Sequence, residues 1–141
     1  VQRLLKKFAT AATLVPQPEV RAAAKKTRLG VIYFGSTAPA MDEAIVALER
    51  EGLPLDTLRI RAFPFPDSVA QFIAAHERVF VVEQNRDAQL RSMLINELEI
   101  NPAKLQRVLH FDGTPITARF ITQAITDHVH EAVVAPQENP S

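Results

Sequence analysis

The run Leu29 to Phe34 (LGVIYF) is apolar and β-rich throughout, and Gly35-Ser36-Thr37 closes it. A segment with no apolar/polar alternation suits a strand covered on both faces, as in a parallel sheet. A parallel neighbour lies beyond the reach of a hairpin, so the chain must cross over before it pairs again. The next residues are built for such a crossover. Ala38 to Glu51 places Met41, Ala44, Ile45 and Leu48 on one helical face, follows Ser/Thr capping candidates, carries Pro39 in its first turn, and stops at Gly52.

The pattern then repeats. Strands are expected at Leu58 to Ala62, Val79 to Val82 and Arg107 to Phe111, and helices at Pro66 to Ala75, Asp87 to Leu98 and Pro115 to His130. Short connections between alternating strands and helices imply an α/β fold, a mostly parallel open sheet with right-handed crossovers. Ahead of it, Val1 to Ala12 is a basic amphipathic stretch with Leu4, Leu5 and Phe8 at helical spacing, and Thr13 to Thr27, broken by Pro16 and Pro18, reads as a linker. The expected organisation is an arm over 1–27, a domain over 28–134 and a disordered tail over 135–141. Because the chain opens on Val1 rather than Met, it is expected to be a segment of a longer polypeptide.

Composition narrows the function classes. Sixteen basic and sixteen acidic side chains among 141 residues give net charge zero, without the basic footprint of a nucleic-acid or anionic-membrane binder. The absence of cysteine excludes a disulfide framework, a thiolate zinc site, a cysteine nucleophile and an iron–sulfur cluster held by this chain. No apolar stretch approaches the ~20 residues of a membrane span, and no signal pattern opens the chain, so a cytoplasmic location is expected.

Two segments could carry chemistry. Gly35-Ser36-Thr37 sits where a strand hands over to a helix, a place that can hold a phosphate or carboxylate. It lacks the G-x-G-x-x-G and G-K-[ST] patterns, so it also reads as a plain capped turn. The denser cluster is Glu83-Gln84-Asn85-Arg86-Asp87, with Gln89 and Arg91 beyond it, at the carboxyl end of a strand where open α/β sheets place ligands or partners. Glu83, Asn85, Arg86 and Gln89 are therefore candidate contacts at an interface or ligand edge, and the bland reading is capping by Asn85 or Asp87. His128 and His130 cannot share a helix face, and Ser36 lacks the context of a nucleophile elbow, so neither a metal site nor a catalytic residue is expected. Phe63-Pro64-Phe65-Pro66 reads as a rigid corner between strand and helix.

Taken in order, GVIYFGSTAPAMDEAI, LRIRAFPFP, VFVVEQNRDAQLRSML and LHFDGTPIT resemble the carboxyl-terminal domain of the alpha subunit of 2-oxoacid:ferredoxin oxidoreductases. The string VEQNRDAQL, Val82 to Leu90, is the most specific part of the match, which covers about Arg28 to His128. The resemblance implies a transketolase carboxyl-terminal-like fold, with helices on both faces of the sheet. It also implies a thiamine-diphosphate enzyme that oxidatively decarboxylates pyruvate or 2-oxoglutarate, passes electrons to ferredoxin and delivers the acyl group to coenzyme A. In that setting thiamine diphosphate, Mg and the iron–sulfur cluster bind elsewhere in the complete enzyme, none of them to this fragment, which alone is expected to be inactive. The implied partners are the other domains of the alpha subunit and the beta subunit, in an oligomer. The competing reading is a flavodoxin-like binding or oligomerisation module without a redox role, and a third is a transketolase-type component without ferredoxin, because one fold hosts several chemistries.

Overall fold

In a computed structural model, which describes residues 16–84, 88–110 and 113–138, five strands form one sheet in the order β1-β3-β2-β4-β5. They are β1 (Glu19–Arg21), β2 (Leu29–Phe34), β3 (Asp56–Ile60), β4 (Arg78–Glu83) and β5 (Leu105–Leu109). β2 lies parallel to both β3 and β4, β4 lies parallel to β5, and β1 alone runs antiparallel, against β3. The helices are α1 (Ala38–Arg50), α2 (Asp67–Ala74), α3 (Gln89–Leu98) and α4 (Ala118–Glu138).

Strand residues alternate between two cores. Val31, Tyr33, Phe80, Val82 and Val108 face one side, where Met41, Ala44 and Leu48 of α1 and Ile121 and Ile125 of α4 cover them. Ile32, Leu58, Ile60, Val79, Val81 and Leu105 face the other, under Val69, Phe72 and Ile73 of α2 and Leu90 and Leu94 of α3. The sheet is thus the middle of three layers, which is why LGVIYF carries apolar side chains on both faces. Each large side chain buried this way contributes roughly 1.5–3 kcal/mol relative to exposure.

Gly30 is fixed by packing. A Cβ there would lie 2.8 Å from the Phe72 ring and 3.2 Å from His76 Cγ, so only glycine lets α2 sit this close to β2. The outer edge of β5 is blunted by side chains: Arg91 Nε donates to the Leu105 carbonyl at 2.9 Å, and His128 Nε2 donates to the Arg107 carbonyl at 3.1 Å.

Several boundaries differ from the sequence reading. Residues 13–27 are more than a linker, because Glu19–Arg21 adds an edge strand to the sheet. Two ion pairs help hold it, Glu19 with Arg59 at 3.4 Å and Arg21 with Asp42 at 3.7 Å. β3 starts at Asp56 rather than Leu58, since the Asp56 carboxylate is fully engaged by the Ala23 N–H and by His76, each at 2.7 Å. β5 starts at Leu105 rather than Arg107, directly after a 3-10 turn at Pro102–Lys104 capped by Asn101 Oδ1. α4 continues to Glu138, past the expected start of the tail at residue 135; Pro136 forgoes its own N–H bond without ending the helix. The expected helix over Val1 to Ala12 and residues 139–141 lie outside the described residues.

Candidate functional site

The chain leaves β2 through α1 toward β3 and leaves β4 through α3 toward β5, on opposite sides of the β2–β4 pair. Loops that diverge in this way open a crevice above the carboxyl ends of the two strands, the place where open α/β sheets bind ligands. The two segments singled out from the sequence are the two that meet here. Gly35–Thr37, a 3-10 turn, follows β2, and the residues from Gln84 onward follow β4. Gln84 Nε2 donates to Thr37 Oγ1 at 3.1 Å and bridges them. Thr37, expected as a helix cap, makes no side-chain cap on α1, and its buried hydroxyl serves the bridge instead.

Glu83 has an internal role that the sequence reading missed. It is 4% exposed, and its two carboxylate oxygens accept from the backbone N–H groups of Leu90 at 2.7 Å and Arg91 at 3.1 Å. A carboxylate engaged by two N–H groups in the first turn of a helix is held by charge-assisted bonds and by the helix dipole. The cap on α3 therefore comes from the end of β4, seven residues before Leu90, whereas capping was sought at Asn85 or Asp87. Ala88, the residue before α3, adopts a left-handed conformation at φ 51°. Arg91 extends the network with bonds to the Leu105 and Pro102 carbonyls. Burial first, and then the neighbouring Arg107, push its guanidinium below its ordinary value, while Glu83 opposes them.

Gln89 stands exposed at the first position of α3. Asn85, Arg86 and Asp87 lie outside the described residues, as does the side chain of Ser36. The structure thus brings Thr37, Gln84, Glu83 and Gln89 to one edge.

Beside the crevice, at the ends of β2 and β3, Phe34, Gly35, Arg59, Ile60 and Arg61 line an open cavity of about 350 Å³. A Cβ on Gly35 would lie 3.0–3.5 Å from the Arg59 guanidinium, which rests against this turn. Arg59 Nη1 reaches Glu19 at 3.4 Å, while its buried Nε finds no acceptor. Below it, burial and then Asp42 push the Tyr33 phenol above its ordinary value, with Arg21 and Arg59 opposing. The Phe63-Pro64-Phe65 corner flanks the same edge, where the Phe63 ring meets Phe34 at 5.5 Å and Phe65 at 4.9 Å, edge to face.

Three of the four histidines are engaged in the scaffold. His76 is buried against Phe72 and Asp56, His110 bonds Thr114 and meets Phe120 edge to face at 4.9 Å, and His128 holds the β5 edge. Among the described residues no group of three His, Cys, Asp or Glu side chains could hold a metal ion, and no helix is long and apolar enough to cross a membrane.

No protein-family model and no curated protein matches the chain. Solved structures do. A 2-oxoglutarate:ferredoxin oxidoreductase from Magnetococcus marinus, with 2-oxoglutarate, coenzyme A and succinyl-CoA bound, is similar at TM-score 0.72 and 25% identity over 84% of this chain. The fold is one that 2-oxoacid:ferredoxin oxidoreductases contain. The chain spans only 20% of that protein's length. The alpha chain of a probable 2-oxoacid ferredoxin oxidoreductase from Thermoplasma acidophilum matches at TM-score 0.54 and 22% identity, over 81% of this chain and 97% of that one. A split-gene transketolase, an inactive beta4 tetramer, matches at TM-score 0.58 and 20% identity, over 77% of this chain and 40% of the other. These neighbours agree with the resemblance carried by the sequence and with the transketolase carboxyl-terminal-like fold expected from it.

Proposed function

We propose that this chain is the carboxyl-terminal domain of the alpha subunit of a 2-oxoacid:ferredoxin oxidoreductase, where it serves assembly and forms one wall of the active-site cleft. The observation that carries this reading is a match over most of this chain to one fifth of a longer enzyme chain, at 25% identity. In this reading thiamine diphosphate, Mg and an iron–sulfur cluster are held by other domains and by the beta subunit. They supply the decarboxylation of 2-oxoglutarate or pyruvate and the transfer of electrons to ferredoxin, with coenzyme A as acyl acceptor. This chain contributes geometry. In this reading Gln89, Asn85 and Arg86 serve as contacts to the neighbouring domain or subunit, and Glu83 acts from inside by fixing the start of α3. The turn Gly35-Ser36-Thr37 is the anion-facing part of the same edge.

The test is made in the complete complex. Asn85→Ala, Arg86→Ala and Gln89→Ala together should lower assembly or turnover roughly tenfold, the effect of losing a small cluster of interface contacts. The thermal midpoint of this chain alone should not move. Unchanged assembly and turnover would leave the loop a purely local structure and favour the reading as an independent binding or oligomerisation module.

A further inference from the structure

The cavity at the ends of β2 and β3 has a composition suited to one chemical class of ligand. Its lining joins two guanidinium groups, Arg59 and Arg61, to the apolar Phe34 and Ile60 and to the bare backbone of Gly35. Arg59 lies in β3 and Arg61 just past its end, and both line the cavity. Arg61 makes no ion pair among the described residues, and Arg59 retains a buried Nε–H with no acceptor. Unsatisfied buried donors are uncommon in folded proteins, and a bound ion is one of the recognised explanations for them.

We infer that this cavity binds a phosphate monoester, with Arg59 and Arg61 on the phosphate and the Phe34–Phe63 corner against its organic carrier. A carboxylate offers two oxygens and one charge, which a single guanidinium fork satisfies; a phosphate monoester offers three oxygens and close to two charges, enough to engage both forks. Glu19 draws on one end of Arg59, so the site retains net positive charge without being saturated. Gly35 matters because a side chain there would displace the Arg59 guanidinium that now lies within 3.0–3.5 Å of the Cβ position. Phe63, 40% exposed and edge to face with Phe34, supplies the apolar wall. The inference deepens the cleft reading by naming what its anion-facing turn meets, but it rests on β3 side chains rather than on the loop after β4.

Amide NMR on the full 141-residue chain tests it directly, with inorganic phosphate and adenosine monophosphate titrated at constant ionic strength. Saturable shifts are expected at Gly35, Arg59 and Arg61, with the nucleotide tighter than phosphate because its carrier reaches the aromatic corner. Arg61→Gln, at an exposed position that leaves folding intact, should weaken binding roughly tenfold, the loss of one charged hydrogen-bonding group. Arg59→Gln should do at least as much, and Gly35→Ala should weaken binding while the fold persists. Three results would overturn the proposal: no saturable shifts, shifts that chloride reproduces, or binding unaffected by Arg61→Gln. A nucleotide no tighter than phosphate would remove the organic carrier from it. None of these outcomes depends on assembly of a complex, so failure here is distinct from failure of the cleft reading.

Discussion

The two ends of the sheet treat polar groups in opposite ways. At the amino end they are turned inward and closed off. His76 Nδ1 lies 2.6 Å from the Phe72 carbonyl and Nε2 lies 2.7 Å from the Asp56 carboxylate, so both ring nitrogens are engaged. The second Asp56 oxygen accepts from the Ala23 N–H, tying the entry to β2 onto β3, and Gly30 lets the Phe72 and His76 rings pack against the strand. At the carboxyl end Glu83 and Thr37 are closed off in this way. Gln84 and Gln89 face solvent, Arg59 keeps a donor without an acceptor, and Ala88 holds a backbone conformation that alanine rarely adopts. One end is arranged for stability, and the other keeps polar side chains at the surface beside a strained backbone.

The comparison breaks first at Asp56. Replacing it with alanine leaves the 94%-buried His76 ring without its partner and frees the Ala23 N–H, which should cost about 3 kcal/mol by urea unfolding. Asp56→Ala with His76→Leu should recover part of that loss, because removing both partners costs less than orphaning one. A loss under ~1 kcal/mol for Asp56→Ala would mean that the amino end is not the clamp described. Glu83→Gln comes next at roughly 2 kcal/mol, since the amide keeps one acceptor but loses the charge at the start of α3 and turns an NH₂ toward an N–H. In the complete complex Glu83→Gln should also reduce assembly, whereas Asp56 variants that still fold should assemble normally. Equal assembly defects from the two would erase the distinction between the ends.

How far the sequence discloses these features follows from the range of the interactions involved. LGVIYF, VFVV and the periodicity of Ala38 to Arg50 disclose the parallel sheet and its helical cover, because two-sided burial leaves its mark on consecutive residues. Edge strand β1 has no such mark. Glu19, Val20 and Arg21 are all exposed, and what holds them is pairing with β3 and ion pairs to Arg59 and Asp42, partners 40 and 21 residues away along the chain. Asp56 is a poor strand former by composition, and only its bonds to Ala23 and His76, 33 and 20 residues distant, make it one. At the site, the two segments with chemical potential can be picked out from residue types alone. Their meeting through Gln84 and Thr37, 47 residues apart, and the participation of Arg59 depend on strand order, which no local pattern encodes. The run Glu83-Gln84-Asn85-Arg86-Asp87 is the instructive case: its density of polar groups is plain, but that Glu83 points inward to cap α3 is decided by the alternation along β4.

The smallest expected effect compares the two ends most directly, because left-handed residues bracket α3 at both of them. Ala88 precedes the helix at φ 51° on the carboxyl side, and Glu99 follows it at φ 55° on the amino side. Each conformation costs a non-glycine residue roughly 1–2 kcal/mol, and glycine recovers most of it, less the extra freedom it gives the unfolded chain. Ala88→Gly and Glu99→Gly should therefore each raise stability by about 1 kcal/mol, or about 3 °C in thermal midpoint. At Glu99 the gain should come without functional cost, since a left-handed C-cap is an ordinary way to end a helix and glycine serves it better. At Ala88 the same gain should be accompanied by weaker assembly of the complex. There the left-handed Ala88 sets how the first turn of α3 begins, and so where Gln89 stands, and glycine loosens it. If Ala88→Gly stabilises the chain and leaves assembly untouched, the left-handed turn is a local accident of capping and the carboxyl end owes nothing to it.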